Sequence, residues 1–203
     1  EVITGNSNMI LTSIVGSNNT VGNTLTGNNN QVTQSLLSNN GSVSNSITGN
    51  YNVLNIQQTD TAATGHSLIT NTTAYNNTAV GYQSLNLNST GIDNTAVGYQ
   101  ALKACTYANN TAVGSQALQA TTTAYNNVAV GLASGYSNTT GSQNTFLGKD
   151  AGYNNTTASY NLAVGYQALF TAQTATGLCA VGTLALYANT TGYGNTAVGS
   201  GAM

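Results

Sequence analysis

The chain has 203 residues, a net charge of −2 and only 3% charged residues, with no Pro and no Trp. A usual chain is about 25% charged, so nothing here steers the protein to nucleic acid or to an acidic membrane surface. Low charge with Asn, Thr, Gly and Ser bias also fits disorder, but apolar residues make up 40% of the chain and recur at fixed spacing, which disorder does not require.

Residues 1–55 carry an 11-residue period. Gly5, Gly16, Gly27, Ser38 and Gly49 share one position, Ile3, Ile14, Leu25, Leu36 and Ile47 a second, and Ile10, Val21, Val32, Val43 and Leu54 a third. Short β-branched runs between Asn/Gly clusters read as strands and turns, and a period this short reads as a solenoid. Taken as one coil per repeat, residues 1–55 form a short-coil β-solenoid. Such a coil buries little against the backbone entropy of ordering it. With no disulfide or metal pattern, oligomerisation is the remaining staple: three chains around an axis.

Residues 56–203 form a longer-coil β-solenoid with 16–17-residue repeats. The marker is the Gly of "AVG", at Gly81, Gly98, Gly114, Gly131, Gly148, Gly165, Gly182 and Gly199. "TAATGHSLI" (61–69) reads as a decayed extra copy, and "NTFLGKDAG" (144–152) as a divergent one. Nine long coils on five short ones, stacked at about 4.8 Å, predict a rod roughly 65–70 Å long.

Within the long repeat, Thr78, Thr95, Thr111, Val128, Thr145, Leu162, Cys179 and Thr196 are equivalent. This exchange implies a tight, partly buried position. Strand alternation puts Thr78 and Val80 on one face and Ala79 on the other, where small Ala lets another surface approach. "AL", as in Ala101-Leu102 and Ala168-Leu169, supplies a second apolar patch. Gly81 suits a bend or a positive φ. Asn77, Asn94, Asn110, Asn127, Asn144, Asn161 and Asn195 recur before the strand, where stacked Asn side chains form hydrogen-bonded ladders.

These residues meet a known pattern. "NNTAVGYQSL" (76–85), "DNTAVGYQAL" (93–102) and "YNLAVGYQAL" (160–169) resemble the head repeats of trimeric autotransporter adhesins (YadA-like). They look still more like the repeats of phage and large-virus tail fibres. The resemblance covers 61–203, and weakly 1–55. It implies an all-β, left-handed β-roll-like solenoid, homotrimeric, in an adhesive fibre that is extracellular, on a cell surface or on a virion. It speaks to architecture and not to ligand.

Reactive chemistry is sparse. Glu1, Asp60, Asp93 and Asp150 are the acids, and His66 is the single His. His66 takes the place of a Tyr in other copies and reads as a surface ring, with three His66 side chains at a trimer axis the alternative. No catalytic residue, cofactor site or metal site is expected, so the chain does not read as an enzyme. Cys105 and Cys179 are taken as free thiols. Tyr82, Tyr99 and Tyr166 follow the marker Gly and are candidates for stacking on glycans, against packing between coils or subunits. Tyr75, Tyr125 and Tyr193 precede it by six. Expected partners are further copies of the chain, as a trimer and in a head-to-tail filament since the pattern meets both ends without a cap, and a cell-surface glycan or protein receptor. No 18-residue apolar run is present, so no membrane insertion is expected. An ice-binding or glycan-binding solenoid module is the alternative, although Val128, Leu162 and Cys179 interrupt the best Thr column.

Overall fold

The computed structural model describes residues 2–14, 20–36, 42–48, 50–51, 53–58 and 74–203. All regular structure among them is strand. In chain order these are β1 (Val2–Thr4), β2 (Met9–Ile14), β3 (Thr20–Thr26), β4 (Gln31–Leu36), β5 (Ser42–Thr48) and β6 (Val53–Gln58). Then follow eight three-residue strands: β7 (Thr78–Val80), β8 (Thr95–Val97), β9 (Thr111–Val113), β10 (Val128–Val130), β11 (Thr145–Leu147), β12 (Leu162–Val164), β13 (Cys179–Val181) and β14 (Thr196–Val198). The fold is an all-β solenoid, as expected. β1, β3 and β5 form one parallel sheet. An eleven-stranded parallel sheet runs β14 to β7 and on through β6, β4 and β2.

The pairing register sets the coil length. Met9 faces Gln31, Gln31 faces Val53, and Val2 faces Thr24. Partner numbers differ by 22 in both sheets, and the turns between them bond at the same separation. The expected 11-residue coil is therefore replaced by one twice as long. Successive repeats land on opposite sheets, because one short repeat supplies one strand and one turn and a full circuit needs two of each. Leu25 from one sheet and Val32 from the other are fully buried in the same cluster. The expected rod is shortened accordingly. Eleven strands leave ten intervals, about 48 Å at the usual strand spacing.

The two repeat systems join within one sheet. β6 pairs directly with β7, Val53 to Thr78 and Asn55 to Val80. The extra copy expected at 61–69 lies outside the described residues. One turn column also crosses the junction. Ser7, Asn29 and Tyr51 have φ of 57–58°, and Asn76 and Asp93 continue it at 57° and 55°. Backbone bonds link these turns across the coils: Asn29 N–H to Asn6 O (2.9 Å), Tyr51 N–H to Asn28 O (3.0 Å) and Asn76 N–H to Asn50 O (3.4 Å).

The strand face is reversed from the expected one. Ala79, Ala96, Ala112, Ala129, Ala163 and Ala180 are fully buried in the coil, together with Leu85, Leu102 and Leu118 of the corner. Thr78 and Val80 are the outward residues: β7 is half-buried, buried, half-buried, and β10 exposed, buried, exposed. The coil is narrow, so a methyl group fits under the strand while the Leu of "AL" fills the middle. The divergent copy at 144–152 shows the same limit. Phe146 replaces the strand Ala and is fully buried. Gly135 and Gly152 then stand at the corner place of Leu102 and Leu118. A Cβ at either would lie 2.7 or 2.4 Å from the Phe146 ring.

The marker Gly is needed on two counts. Gly131 has φ +133°, and a Cβ there would meet the Gly148 carbonyl at 2.6 Å. Neither the backbone angle nor the rung spacing leaves room for a side chain.

Candidate functional site

The Asn ladder forms, and it lies inside the coil. The side-chain oxygens of Asn77, Asn94, Asn110, Asn127 and Asn144 each accept the backbone N–H of the next Asn, at 2.9–3.1 Å. Asn161 does the same for Leu178 at 2.9 Å, and Leu178 ends the run by occupying the next Asn place. Each amide also donates across the coil, as Asn127 does to Gly141 O at 3.0 Å. A second buried column holds Asn88, Cys105, Thr121, Asn138 and Asn155. There burial pushes the Cys105 thiol from 9.0 up to about 11. These ladders satisfy the chain's own backbone. Asn88, Asn138 and Asn155 each begin an Asn-x-Ser/Thr glycosylation signal, and their burial closes them to a glycan.

The outward side of the eleven-stranded sheet is a repetitive surface. One column reads Thr78, Thr95, Thr111, Val128, Thr145, Leu162, Cys179, Thr196, and the other Val80, Val97, Val113, Val130, Leu147, Val164, Val181, Val198. Strand registry aligns them without a slip. Neither column carries a charge. Val128 and Val130 are 39% and 40% exposed.

The three candidate Tyr are not one platform. Tyr82 and Tyr99 stack on each other, centroids 5.4 Å apart and planes 7° apart, so each ring has one face covered by the other. Tyr166 sits four rungs further on, with Lys149 Nζ 5.7 Å from its ring centre. Tyr75, Tyr125 and Tyr193 are exposed, and two or more rungs separate each from the next. The sequence reading missed a longer ladder. Tyr136, Tyr153, Phe170 and Tyr187 stack continuously at 5.0–5.3 Å with planes within 15°. Its signal was present: all four lie five places after a marker Gly.

Asp93 accepts from the Asn76 amide at 2.9 Å, and Asp150 lies 3.9 Å from Lys149. They occupy positive-φ turn positions rather than a shared cleft. Glu1, Asp60 and His66 lie outside the described residues. Among the described residues no group of three His, Cys, Asp or Glu could hold a metal ion. One surface depression is lined by Thr90, Gly91, Ile92, Thr106, Tyr107 and Ala108, and another by Leu186, Ala188, Asn189, Asn195, Thr196 and Met203. Neither brings a side-chain carboxylate, His or Cys to its wall. No described helix is long and apolar enough to cross a membrane.

Against family models, curated proteins and solved structures, the chain matches none.

Proposed function

We propose that the chain is a structural and adhesive segment of an extracellular or virion fibre, assembled as a homotrimer through the outward face of the eleven-stranded sheet and able to stack head to tail. The carrying observation is that uncharged face. Its Thr/Val columns keep one register over β7–β14, while the polar ladders turn inward and serve the coil itself. Uncharged, partly apolar columns facing outward along β7–β14 are the kind of surface that marks an interaction site. Nothing on it repels a second copy electrostatically. Rung number then sets the length of the fibre. Contact with a cell-surface glycan or protein falls to side chains that differ between rungs, such as the exposed Tyr99 and Tyr166.

Light scattering on the purified chain tests the assembly, with a trimer mass expected and a monomer at all concentrations overturning it. Val130→Lys with Val164→Lys places charge on the face without touching the core. It should dissociate the trimer and leave the circular dichroism of the β-fold unchanged. Negative-stain electron microscopy tests stacking: filaments that lengthen with concentration are expected, and discrete particles throughout would remove the head-to-tail step.

The outward turn of the Thr column favours one second reading, an ice-binding module. Thr stands at five of its eight positions, facing out in regular ranks. Thermal hysteresis in solution would support this reading, and its absence would dispose of it.

A further inference from the structure

The ring ladders carry a reactivity that the fibre reading does not use. We propose that Tyr136–Tyr153 and Tyr82–Tyr99 are sites of oxidative dityrosine formation, which bolts adjacent coils together covalently. Among the described residues no disulfide or ion pair fastens one rung to the next. Cys105 and Cys179 are free, and the Lys149–Asp150 contact joins neighbours in sequence.

Three observations converge on these two pairs. The rings of Tyr136 and Tyr153 are 5.0 Å apart and 5° from parallel; those of Tyr82 and Tyr99 are 5.4 Å and 7°. In a parallel, in-register stack, like atoms of successive side chains lie alongside one another. The ring carbon beside each phenolic oxygen therefore has its counterpart on the next rung at about the ring-centre separation. Finally, all four rings keep some solvent contact, with Tyr99 46% exposed and the others half-buried. Positioning of this kind turns an encounter between two radicals into a step within one molecule.

The oxidant is hydrogen peroxide acting through a haem peroxidase. Each phenol gives up one electron and its hydroxyl proton to become a phenoxyl radical. The two radicals join through a new carbon–carbon bond between the ring carbons ortho to oxygen. Each joined carbon then loses its hydrogen as a proton, and each oxygen regains one, restoring both phenols. The chain has lost two hydrogen atoms, and one peroxide has become two waters.

The sequence contains its own control. Phe170 has no hydroxyl, so it ends the reactive run beyond Tyr153. Tyr187 stacks on Phe170 alone, at 5.2 Å, and has no phenol beside it. Tyr107 and Tyr125 are adjacent but tilted by 47° at 5.8 Å, a poorer geometry for coupling.

The test treats the full chain with a haem peroxidase and peroxide, isolates material that runs as single chains on a denaturing gel, and maps cross-linked peptides by mass spectrometry. Blue dityrosine fluorescence and links 136–153 and 82–99 are expected, with Tyr187 unlinked. Tyr153→Phe keeps a ring in the stack and should abolish the first link while leaving the second. Tyr99→Phe should do the reverse, and Phe170→Tyr should bring Tyr187 into the ladder. Chain unfolded in denaturant should lose this selectivity. The proposal is overturned by absence of dityrosine in the folded chain. It is equally overturned by links that follow exposure, with Tyr160 and Tyr193 dominating, or by links that survive Tyr153→Phe and Tyr99→Phe.

Discussion

The two halves of the solenoid share one sheet and solve its closure differently. Before residue 59, a 22-residue coil holds two strands on opposite sheets, most of them six or seven residues long. From residue 74 on, a 16- or 17-residue coil has one three-residue strand, and the rest is turn held by backbone and side-chain ladders. The first half relies on strand ladders, with Leu25 and Val32 buried between the two sheets. The second relies on a filled interior, Ala under the strand and Leu in the corner. A sequence period is thus a structural unit without being a turn of the solenoid. Whether it closes the circuit depends on how many strands it brings.

Deletion tests this difference at its largest. Removing one 11-residue repeat, 20–30, transfers every earlier strand to the opposite sheet relative to the later ones. The section before residue 59 should lose its protection from proteolysis. Removing 20–41 takes out one whole coil, and removing 162–178 takes out one long repeat. Both should fold to rods shorter by one rung, about 4.8 Å, with cooperative thermal unfolding by circular dichroism. A stable fold for the 20–30 deletion would mean that the 11-residue unit closes by itself.

The filled interior of the second half is next. Phe146→Ala leaves a hole between Gly135 and Gly152 and should cost about 3–5 kcal/mol in denaturant unfolding. Adding Gly135→Leu and Gly152→Leu should restore most of it. Leu102 and Leu118 already adopt the required backbone, at φ 48° and 49° against 60° and 62° at the two glycines. If the triple variant is no more stable than Phe146→Ala, the ring and the two glycines are not one volume exchange.

Much of this was legible beforehand, and the failures have physical causes. Rungs, marker glycines and the Asn column follow from spacing, because a parallel stack repeats each position at the period. Alternation puts Thr78 and Val80 opposite Ala79 but carries no direction. The Thr/Val/Leu/Cys exchange read as burial is the tolerance of an outward position, and the narrow coil gives the inside to Ala. The 11-residue period concealed a second strand per circuit, since both sheets draw on the same repeat. The ladder of Tyr136, Tyr153, Phe170 and Tyr187 is masked because Asn86, Lys103 and Gln119 hold the same place in earlier copies. The position therefore looks polar until the later rungs are taken alone.

A buried and an exposed Asn ladder differ more gently. Asn127 is fully buried, and its oxygen accepts the Asn144 N–H at 2.9 Å. Asn127→Ala strands that donor away from water and should cost roughly 2–3 kcal/mol. Asn28 does the equivalent for the Asn6 N–H at 2.8 Å but in an exposed turn. Water replaces it there, so Asn28→Ala should cost under about 1 kcal/mol. Equal losses would mean that the two ladders are equally dry.

The last effect is conditional on pH. Cys105 stands in the second Asn column, and burial pushes its thiol up to about 11 from 9.0. The folded chain therefore holds the thiol proton after the unfolded chain has released it. Below pH 9 the two states carry the same proton and the thiol adds no pH dependence. As pH rises through that value and on toward 11, unfolding gains from ionisation and stability falls, by roughly 2–3 kcal/mol at the limit. Cys105→Asn puts into the column the residue found at Asn88, Asn138 and Asn155, and it cannot ionise. Every other side chain is common to both proteins, so the difference between their stability curves isolates Cys105. That difference should be flat below pH 9 and widen in favour of Cys105→Asn above it. A flat difference across the whole range would mean that the thiol meets solvent.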